Sequence, residues 1–355
     1  MSIPTATRNL DPRQFFIQQS QANRPKHSFA TNPTQDFSQW KIHALPEVLK
    51  TLGNTPTSCP ANPQLISQWQ EDQLIKERWL IDVQDGLSAV VLIYRPAEIA
   101  DGKQLPAILC CHGHGDFGKD TIMGLAINDE QAQDIRAHHS DYGLQLAKSG
   151  FVTYSFDFMG FGERDPRRKP AYFAGYWERD ACNVNYLCAS LLGMSVLGSN
   201  LHDASVITDF VCQQAYVDSA NLGVIGLSYG GTVSTWMMLY DDRFKASSVS
   251  CYVGPFHAIG FERYDICGSQ ITNGLYQLVD VADLHGLIAP KPLLLEVALQ
   301  DRVFEIDAVI QQHLPELKAI YDAAGASEQL TIDLFEGDHR WHGKITADFF
   351  RQHLT

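Results

Sequence analysis

The chain has 355 residues, of which 45% are hydrophobic and 19% charged, and its formal net charge is -14. This composition is ordinary for a globular protein, so a substantial core can form without disulfides or a structural metal. The acidic balance argues against nucleic acid or an anionic membrane as a partner, because either would require clustered Lys and Arg.

Residues 1–75 are predicted to form an N-terminal helical extension. They are mostly polar, and one amphipathic stretch, Trp40 to Leu52, has apolar residues at helical spacing before Gly53. No stretch of the sequence resembles the apolar core of a signal peptide or reaches the length of a membrane span. The eight cysteines lack the spacing of metal ligands. We therefore expect a reduced, cytoplasmic protein.

From residue 76 onward the sequence alternates between strand and helix patterns. Two β-rich segments around the turn Asp85-Gly86 predict a hairpin. Apolar runs typical of buried parallel strands follow at 107–111, 152–156, 222–227, 247–253, 292–297 and 330–335. Helical patterns lie between them at 142–148, 202–215, 232–239 and 306–323. This order predicts an α/β domain over residues 76–355, with a twisted, mostly parallel sheet covered by helices on both faces.

Two long insertions interrupt the alternation, near residues 158–200 and 254–289. Both are much longer than ordinary loops, and such segments at strand ends are where substrate pockets are built. The first contains an aromatic cluster, residues 172–177, which could stack on a sugar ring, line an acyl pocket or pack against the core.

Ser228 is the candidate nucleophile. It stands in the pattern Gly226-Leu227-Ser228-Tyr229-Gly230, which follows an apolar strand and precedes a helical run. A sharp strand-to-helix turn needs glycines on either side of the nucleophile, and it projects the serine hydroxyl outward. The helix N-terminus behind it favours developing negative charge.

A serine hydroxyl becomes a nucleophile only when a histidine accepts its proton and an acid orients that histidine. Asp301 follows the strand at 292–297, and His339 follows the final strand, so both lie at the carboxyl edge of the predicted sheet. We predict Asp301 as the acid and His339 as the base. The rivals are Asp307 for the acid and His342 for the base, and the sequence does not exclude His342.

The oxyanion formed during acyl transfer requires two preorganised N–H donors. Tyr229, the residue after the nucleophile, supplies one by position. For the second we predict the backbone N–H of His114, in the turn after the strand at 107–111, with Gly113 allowing the bend.

The same turn supports a rival of another class. His112-x-His114-x-Asp116 resembles the start of the zinc motif of metallo-β-lactamase-fold hydrolases, in which the metal activates water. Phe117 stands where that motif needs a further histidine, so the serine interpretation is preferred.

Several motifs together resemble the α/β-hydrolase superfamily, and within it the branch of dienelactone hydrolases and acetyl xylan esterases. They are His112 to Gly115, Asp157 to Glu163, Gly226 to Gly231, Ala289 to Pro292 and Gly337 to His339, and the resemblance covers about Trp79 to the C-terminus. It implies the α/β-hydrolase fold with about eight strands, an acyl-enzyme intermediate and no cofactor. Dienelactone hydrolases use a cysteine nucleophile, so Ser228 points to the esterases.

The predicted function is hydrolysis of a small-molecule carboxylic ester by a serine esterase of the acetyl-esterase type. One alternative is a peptidase or amidase of the prolyl-oligopeptidase type, although the extension is too short for the propeller domain usual in that group. Another is a non-catalytic binding protein on the same fold. The sequence leaves open the acyl and alcohol groups, and whether the protein is a homo-oligomer.

Overall fold

The structure, a computed structural model, describes residues 8–31, 35–165 and 180–355. Its strands are β1 (Gln64–Glu71), β2 (Leu74–Gln84), β3 (Leu87–Pro96), β4 (Leu105–Cys111), β5 (Val152–Phe156), β6 (Val217–Leu227), β7 (Phe244–Ser250), β8 (Leu293–Ala298) and β9 (Leu330–Phe335). The predicted hairpin is therefore confirmed as β2 and β3. Every predicted apolar run forms a strand, with shifts of a few residues at the ends.

The nine strands form one sheet in the order β1-β2-β3-β5-β4-β6-β7-β8-β9. The strands from β1 to β3 pair antiparallel with one another, and β3 pairs antiparallel with β5. All pairs from β5-β4 to β8-β9 are parallel. The carboxyl ends of β4, β6, β7, β8 and β9 consequently meet at one edge, which is where the candidate residues follow their strands.

The α-helices lie between and around these strands. They are α1 (Pro12–Ala22), α2 (Phe37–Lys50), α3 (Lys119–Ile122), α4 (Asp129–His138), α5 (Tyr142–Lys148), α6 (Ala181–Leu191), α7 (Val196–Cys212), α8 (Tyr229–Tyr240), α9 (Leu275–Leu278), α10 (Val281–Gly286), α11 (Ile306–Ala308), α12 (Leu314–Ala323) and α13 (Thr346–His353). A π-helical turn, 309–313, joins α11 to α12, so the helix predicted over 306–323 has an irregular first half.

The core is divided by the sheet into two layers, as the pleat of buried strands requires. Leu109 and Leu295 belong to the larger apolar cluster, whereas their chain neighbours Ile108 and Leu294 belong to the smaller one. Both faces of the central strands are therefore buried under helices, and the predicted α/β layering is confirmed.

The extension packs against the body of the protein. Trp40, Ala44 and Val48 share one face of α2 and are buried in the larger apolar cluster. Residues 64–71 were expected within the helical extension, but they form β1 at the edge of the sheet, which gives nine strands where about eight were predicted. Strand β1 is mostly exposed, so its sequence has no buried face to reveal it. The division into an extension and a catalytic domain stays a prediction.

The described parts of the two predicted insertions contain short helices at the carboxyl edge of the sheet. The first includes α6 and the start of α7, and the second includes α9, α10 and short turns at 257–262 and 268–270. The aromatic cluster at 172–177 lies outside the described residues. None of the helices in the described ranges combines the length and apolarity needed to cross a membrane.

Candidate active site

Ser228 lies in a sharp turn between β6 and α8. Its backbone has φ 58° and ψ −118°, a strained conformation that residues other than glycine rarely adopt. The turn is fixed on its other side by the Ser228 N–H, which donates to the Ser250 carbonyl at the end of β7 over 2.9 Å.

The two glycines of the pattern are required by space. A Cβ on Gly226 would lie 2.0 Å from the carbonyl oxygen of Gly230, and a Cβ on Gly230 would lie 2.0 Å from that of Cys111. The turn therefore folds back on itself and against the end of β4 so closely that only glycine fits at either position.

Asp301 and His339 form a hydrogen-bonded pair. Nδ1 of His339 lies 2.7 Å from Oδ2 of Asp301, whose side chain is only 2% exposed. The other oxygen of Asp301 accepts from the backbone N–H of Val303 over 2.8 Å. The Phe304 ring stacks on the His339 ring at 5.7 Å. The imidazole is therefore held from its edge and from its face, while 24% of the side chain remains exposed.

This pair and the serine turn approach the same point, the carboxyl end of β7. Cys251 directly follows Ser250, which accepts the hydrogen bond from Ser228. Sγ of Cys251 lies within 4.8 Å of a carboxylate oxygen of Asp301 and of a ring nitrogen of His339. The sheet thus brings all the residues predicted for the triad to one edge.

The rival base and acid are placed differently. His342 pairs through Nδ1 with Asp333 over 2.6 Å and stacks on the Phe335 ring at 4.4 Å. Asp307 is exposed on α11. Of the candidates weighed from the sequence, Asp301 and His339 are the two that contact each other.

The turn of residues 112–115, which carries the predicted oxyanion donor His114, lies against the turn that carries Ser228. A Cβ on Gly113 would lie 3.0 Å from the Leu227 carbonyl oxygen and 3.6 Å from the Ser228 Cβ, so the two backbones almost touch. The His114 ring packs against the Tyr229 ring, with centroids 5.2 Å apart. Tyr229 begins α8, so its N–H is one of the free donors of a helix N-terminus. Of the two predicted N–H donors, Tyr229 follows Ser228 in the chain, and His114 adjoins Gly113, which approaches Ser228 in space.

His112 does not fit the zinc motif considered from the sequence. Its Nδ1 bonds the Gly113 carbonyl at 2.8 Å, and its Nε2 accepts from the Phe158 N–H at 3.0 Å. Burial lowers the pKa of His112 to about 4, so the ring is neutral. With both nitrogens bonded to backbone, His112 is a support for the turn and is not available as a metal ligand.

The loop at 157–163 is held by a buried lysine. Nζ of Lys119 lies 2.7 Å from a carboxylate oxygen of Asp157 and 2.7 Å from one of Glu163. Asp157 also accepts from the backbone N–H groups of Lys119 and Glu163. Lys119 is completely buried, so these contacts hold the loop of residues 157–163 against the start of α3.

Glu296 was missed by the sequence reasoning. It is completely buried at the end of β8, and burial raises the pKa of its carboxyl group. Its oxygens accept from the N–H groups of His342 and Gly343 and from the hydroxyls of Ser250 and Thr346. The signal in the sequence is a single acid inside the apolar run 292–297, since a buried carboxylate needs several donors. Glu296 joins β7 to the loop that carries His339.

A cavity of about 530 Å³ adjoins this edge of the sheet. Its walls come from α1, α6 and the second insertion, and they include Ser20, Tyr186, Phe256, Ile266, Cys267 and Tyr276. Cys267 connects the cavity to the oxyanion turn, because its Sγ lies 3.2 Å from Nε2 of His114. A mostly apolar pocket of this size suits an organic group of a small molecule.

Comparison with known proteins gives matches at three levels. The model of the prolyl oligopeptidase family matches residues 198–265, which include the serine turn. The "Putative hydrolase YtaP" of Bacillus subtilis (strain 168) is 24% identical over 294 residues, covering 79% of this chain and 88% of that protein.

Solved structures match over most of the chain at low sequence identity. A "putative acetyl xylan esterase" from Bacteroides fragilis NCTC 9343 superposes with a TM-score of 0.74 and 16% identity, covering 100% of this chain and 92% of that one. The glucuronoyl esterase from Solibacter usitatus gives a TM-score of 0.65 and 15% identity, covering 89% and 94%. The likeness concerns the fold, and every protein named here carries the name of a hydrolase or a hydrolase family.

Proposed function

Because the chain has the α/β-hydrolase fold, we propose that it is a serine esterase that cleaves a carboxylic ester through an acyl-enzyme intermediate. The observation that carries the proposal is the meeting of the strained Ser228 turn with the Asp301–His339 pair at one edge of the sheet. A strained serine turn in this fold serves to expose a nucleophile, and a buried acid bonded to an imidazole serves to orient a base.

In the proposed reaction His339 acts as the base. A carboxylate can only accept a hydrogen bond, so Nδ1 of His339 carries the proton that faces Asp301, and Nε2 is left with its lone pair. Nε2 takes the Ser228 proton as Oγ bonds to the ester carbonyl carbon. The imidazolium then returns this proton to the departing alcohol, and the acyl group stays on Ser228. Water attacks the acyl-enzyme by the same route and releases the acid.

The oxyanion of each tetrahedral intermediate is assigned to the backbone N–H groups of Tyr229 and His114. The close approach of Gly113 to Ser228 supports this assignment, because the turn of residues 112–115 is next to Ser228. Donors of this kind are worth about 3 to 4 kcal/mol each in transition-state stabilisation.

The substrate class follows from the shape and charge of the surroundings. The cavity beside His114 is mostly apolar, and the protein is strongly acidic, so a neutral ester suits the site better than an anionic one. The names of the structural neighbours, an acetyl xylan esterase and a glucuronoyl esterase, support carbohydrate esters as candidates. We propose a short acyl group, with the bulkier alcohol portion in the cavity.

Fluorophosphonate labelling together with p-nitrophenyl acetate turnover tests the proposal. We expect the wild type to be labelled on Ser228 and to hydrolyse the ester, and Ser228→Ala to lose labelling and at least about 10³-fold of kcat. Ser219→Ala is the matched control, because Ser219 is exposed near the start of the same strand, β6. Labelling at another residue, or unchanged turnover in Ser228→Ala, would refute the assignment.

A peptidase or amidase is the second candidate, and the prolyl oligopeptidase family model favours it by matching residues 198–265. The same triad can cleave an ester or an amide bond, so only a comparison of ester and amide substrates distinguishes the two functions. A chromogenic dipeptide cleaved faster than short aryl esters would support this alternative. A correctly folded protein that turns over neither substrate would support the non-catalytic binding protein.

A further inference from the structure

Three potential metal-ligand atoms, two sulfurs and one imidazole nitrogen, converge beside the predicted oxyanion turn and take no part in the proposed triad. Nε2 of His114 and the Sγ atoms of Cys182 and Cys267 all lie within 4.8 Å of one another. Nε2 of His114 is 3.2 Å from Sγ of Cys267. The donors come from the turn after β4, the first turn of α6 and the loop before the turn at 268–270. Distant parts of the chain therefore present one compact set of ligands.

The distances suit a tetrahedral cation. Zn–S bonds of about 2.3 Å and Zn–N bonds of about 2.0 Å place neighbouring tetrahedral ligand atoms roughly 3.5 to 3.8 Å apart. One separation is 3.2 Å and the other two do not exceed 4.8 Å, so side-chain movements of about 1 Å or less bring the three atoms to tetrahedral spacing. Two sulfur ligands and an imidazole form a donor set selective for Zn²⁺ and related thiophilic ions over Mg²⁺ or Ca²⁺.

The two cysteine segments are locked together independently of any ion. Gly268 donates its N–H to Oδ1 of Asn183 over 2.9 Å, and a Cβ on Gly268 would lie 2.5 Å from the Tyr186 side chain. Cys182 and Cys267, which adjoin Asn183 and Gly268, are held close by this approach. A preorganised pair of sulfurs lowers the entropic cost of binding an ion.

The Cys267 side chain is also held in place by its own turn. Its Sγ accepts a hydrogen bond from the backbone N–H of Gln270, the third residue of the turn it caps. This bond fixes the direction in which the sulfur points, so the position of one ligand is set before an ion binds.

The donor set is open to solvent on one side. His114 is exposed, and Cys267 lines the cavity of about 530 Å³, so an ion has a path to the site. Three protein ligands leave one tetrahedral position for water or another small ligand.

We propose that His114, Cys182 and Cys267 form a binding site for a thiophilic divalent cation, Zn²⁺ in the first instance, which cross-links three segments at the rim of the active site. Coordination replaces the thiol protons, which are released to solvent, and requires no oxidant or reductant. The proposed ligands are the side chains of these residues, whereas the reaction proposed for Ser228 uses only the backbone N–H of His114. Metal binding is measured without substrate, so its test does not depend on ester turnover.

Cd²⁺ titration of the reduced protein tests the site directly, because thiolate ligation gives a charge-transfer absorption in the ultraviolet. We expect the wild type to bind one Cd²⁺ with a dissociation constant of about 1 µM or tighter, and Zn²⁺ to displace it. Cys182→Ala and Cys267→Ala should each lose more than about 100-fold in affinity, beyond the loss typical of an outer-sphere partner. Cys188→Ala is the matched control, since Cys188 is exposed on the same helix, α6.

Thermal unfolding provides a second measurement. Zn²⁺ should raise the Tm of the wild type and of Cys188→Ala, and it should leave the Tm of the two ligand variants unchanged, because an ion that binds only the native state stabilises it. Cys182→Ser and Cys267→Ser repeat the test if either alanine variant fails to fold without the ion.

Three outcomes would overturn the proposal: absence of the thiolate band in the wild type, retention of wild-type affinity in both ligand variants, or loss of binding only in Cys251→Ala. The last would place the ion at the cluster of Cys251, Asp301 and His339.

Discussion

The His339 ring and the Asp301 carboxylate are joined by a hydrogen bond of 2.7 Å between residues that follow two adjacent parallel strands. Because Asp301 is almost completely buried, water screens little of the interaction between its carboxylate and this imidazole. His342 has an equivalent bond to Asp333, on β9, rather than to an acid that follows β8. The two histidines therefore differ in their acid partner, and this difference gives a test.

We expect His339→Ala to lose at least about 10³-fold in kcat for p-nitrophenyl acetate, because it removes the proposed base. His342→Ala should lose less than about tenfold, since it removes a side chain that pairs with Asp333. The kcat of both variants is measured by steady-state kinetics, and circular dichroism verifies that they are folded. Full activity in His339→Ala together with an inactive His342→Ala would transfer the role to His342.

The backbone around Ser228 is so closely packed that even a methyl side chain should not fit at Gly226. Gly226→Ala should lower the free energy of unfolding by at least about 3 kcal/mol and abolish turnover, because its Cβ would lie 2.0 Å from the Gly230 carbonyl oxygen. Chemical denaturation and kcat measure the two effects. Gly260→Ala is the control for stability, since no atom outside its own helical turn lies within 4 Å of the added methyl group, and it should change stability by less than about 1 kcal/mol. An active, stable Gly226→Ala variant would refute the turn geometry.

Glu296 is predicted to position the loop that carries His339. Each carboxylate oxygen accepts one backbone N–H, from His342 or Gly343, so the amide of Glu296→Gln has to turn its NH₂ group toward one of these donors. We expect a loss of about 1 to 3 kcal/mol in stability and about tenfold in kcat with KM little changed.

Thr346→Val is the matched variant for Glu296, because it removes a hydroxyl donor to the same carboxylate and leaves the backbone donors in place. It should lose stability while keeping kcat. If Glu296→Gln loses stability and retains full kcat, Glu296 supports only the fold.

Much of the architecture could be predicted because it is encoded locally. Buried parallel strands appear in the sequence as continuous apolar runs. The glycines around Ser228 indicate a tight turn, and in the structure only glycine fits at these positions. The positions of Asp301 and His339 after strands could be expected from chain order, and their contact is observed. Their catalytic roles stay predictions.

What could not be predicted depends on non-local packing or lacks a pattern. Strand β1 is an exposed edge strand, so no apolar alternation distinguishes it from the extension. The cluster of His114, Cys182 and Cys267 joins segments far apart in the chain, with none of the short spacings that reveal a metal site. The four donors around Glu296 likewise come from β7, the C-terminal loop and α13.

A buried histidine pair predicts acid sensitivity of the fold. His285 and His313 are fully buried and lie 3.1 Å apart between Nδ1 and Nε2, with Thr235 and the Gly254 N–H as their outer partners. Burial lowers the pKa of His313 to about 3 and that of His285 well below its ordinary value. The native state therefore excludes protons that the unfolded chain binds below about pH 6.5, so the stability contributed by neutral histidines is lost as pH falls from there toward 3.

We expect the change from pH 7 to pH 5 to destabilise the wild type relative to His313→Asn, so that the difference in Tm between the two proteins shifts in favour of the variant. The Asn oxygen can still accept from the Gly254 N–H, while the unfolded variant has one fewer group to protonate. The variant should be less stable than the wild type at neutral pH, because His285 loses its partner. The quantity to compare between the two proteins is therefore the slope of Tm against pH. Asp283 and Glu316, whose pKa values burial raises to about 7, act in the opposite sense and are common to both proteins. His43→Gln, at an exposed position on α2, should keep the wild-type slope. Equal slopes in the wild type and His313→Asn would show that this histidine does not control acid stability.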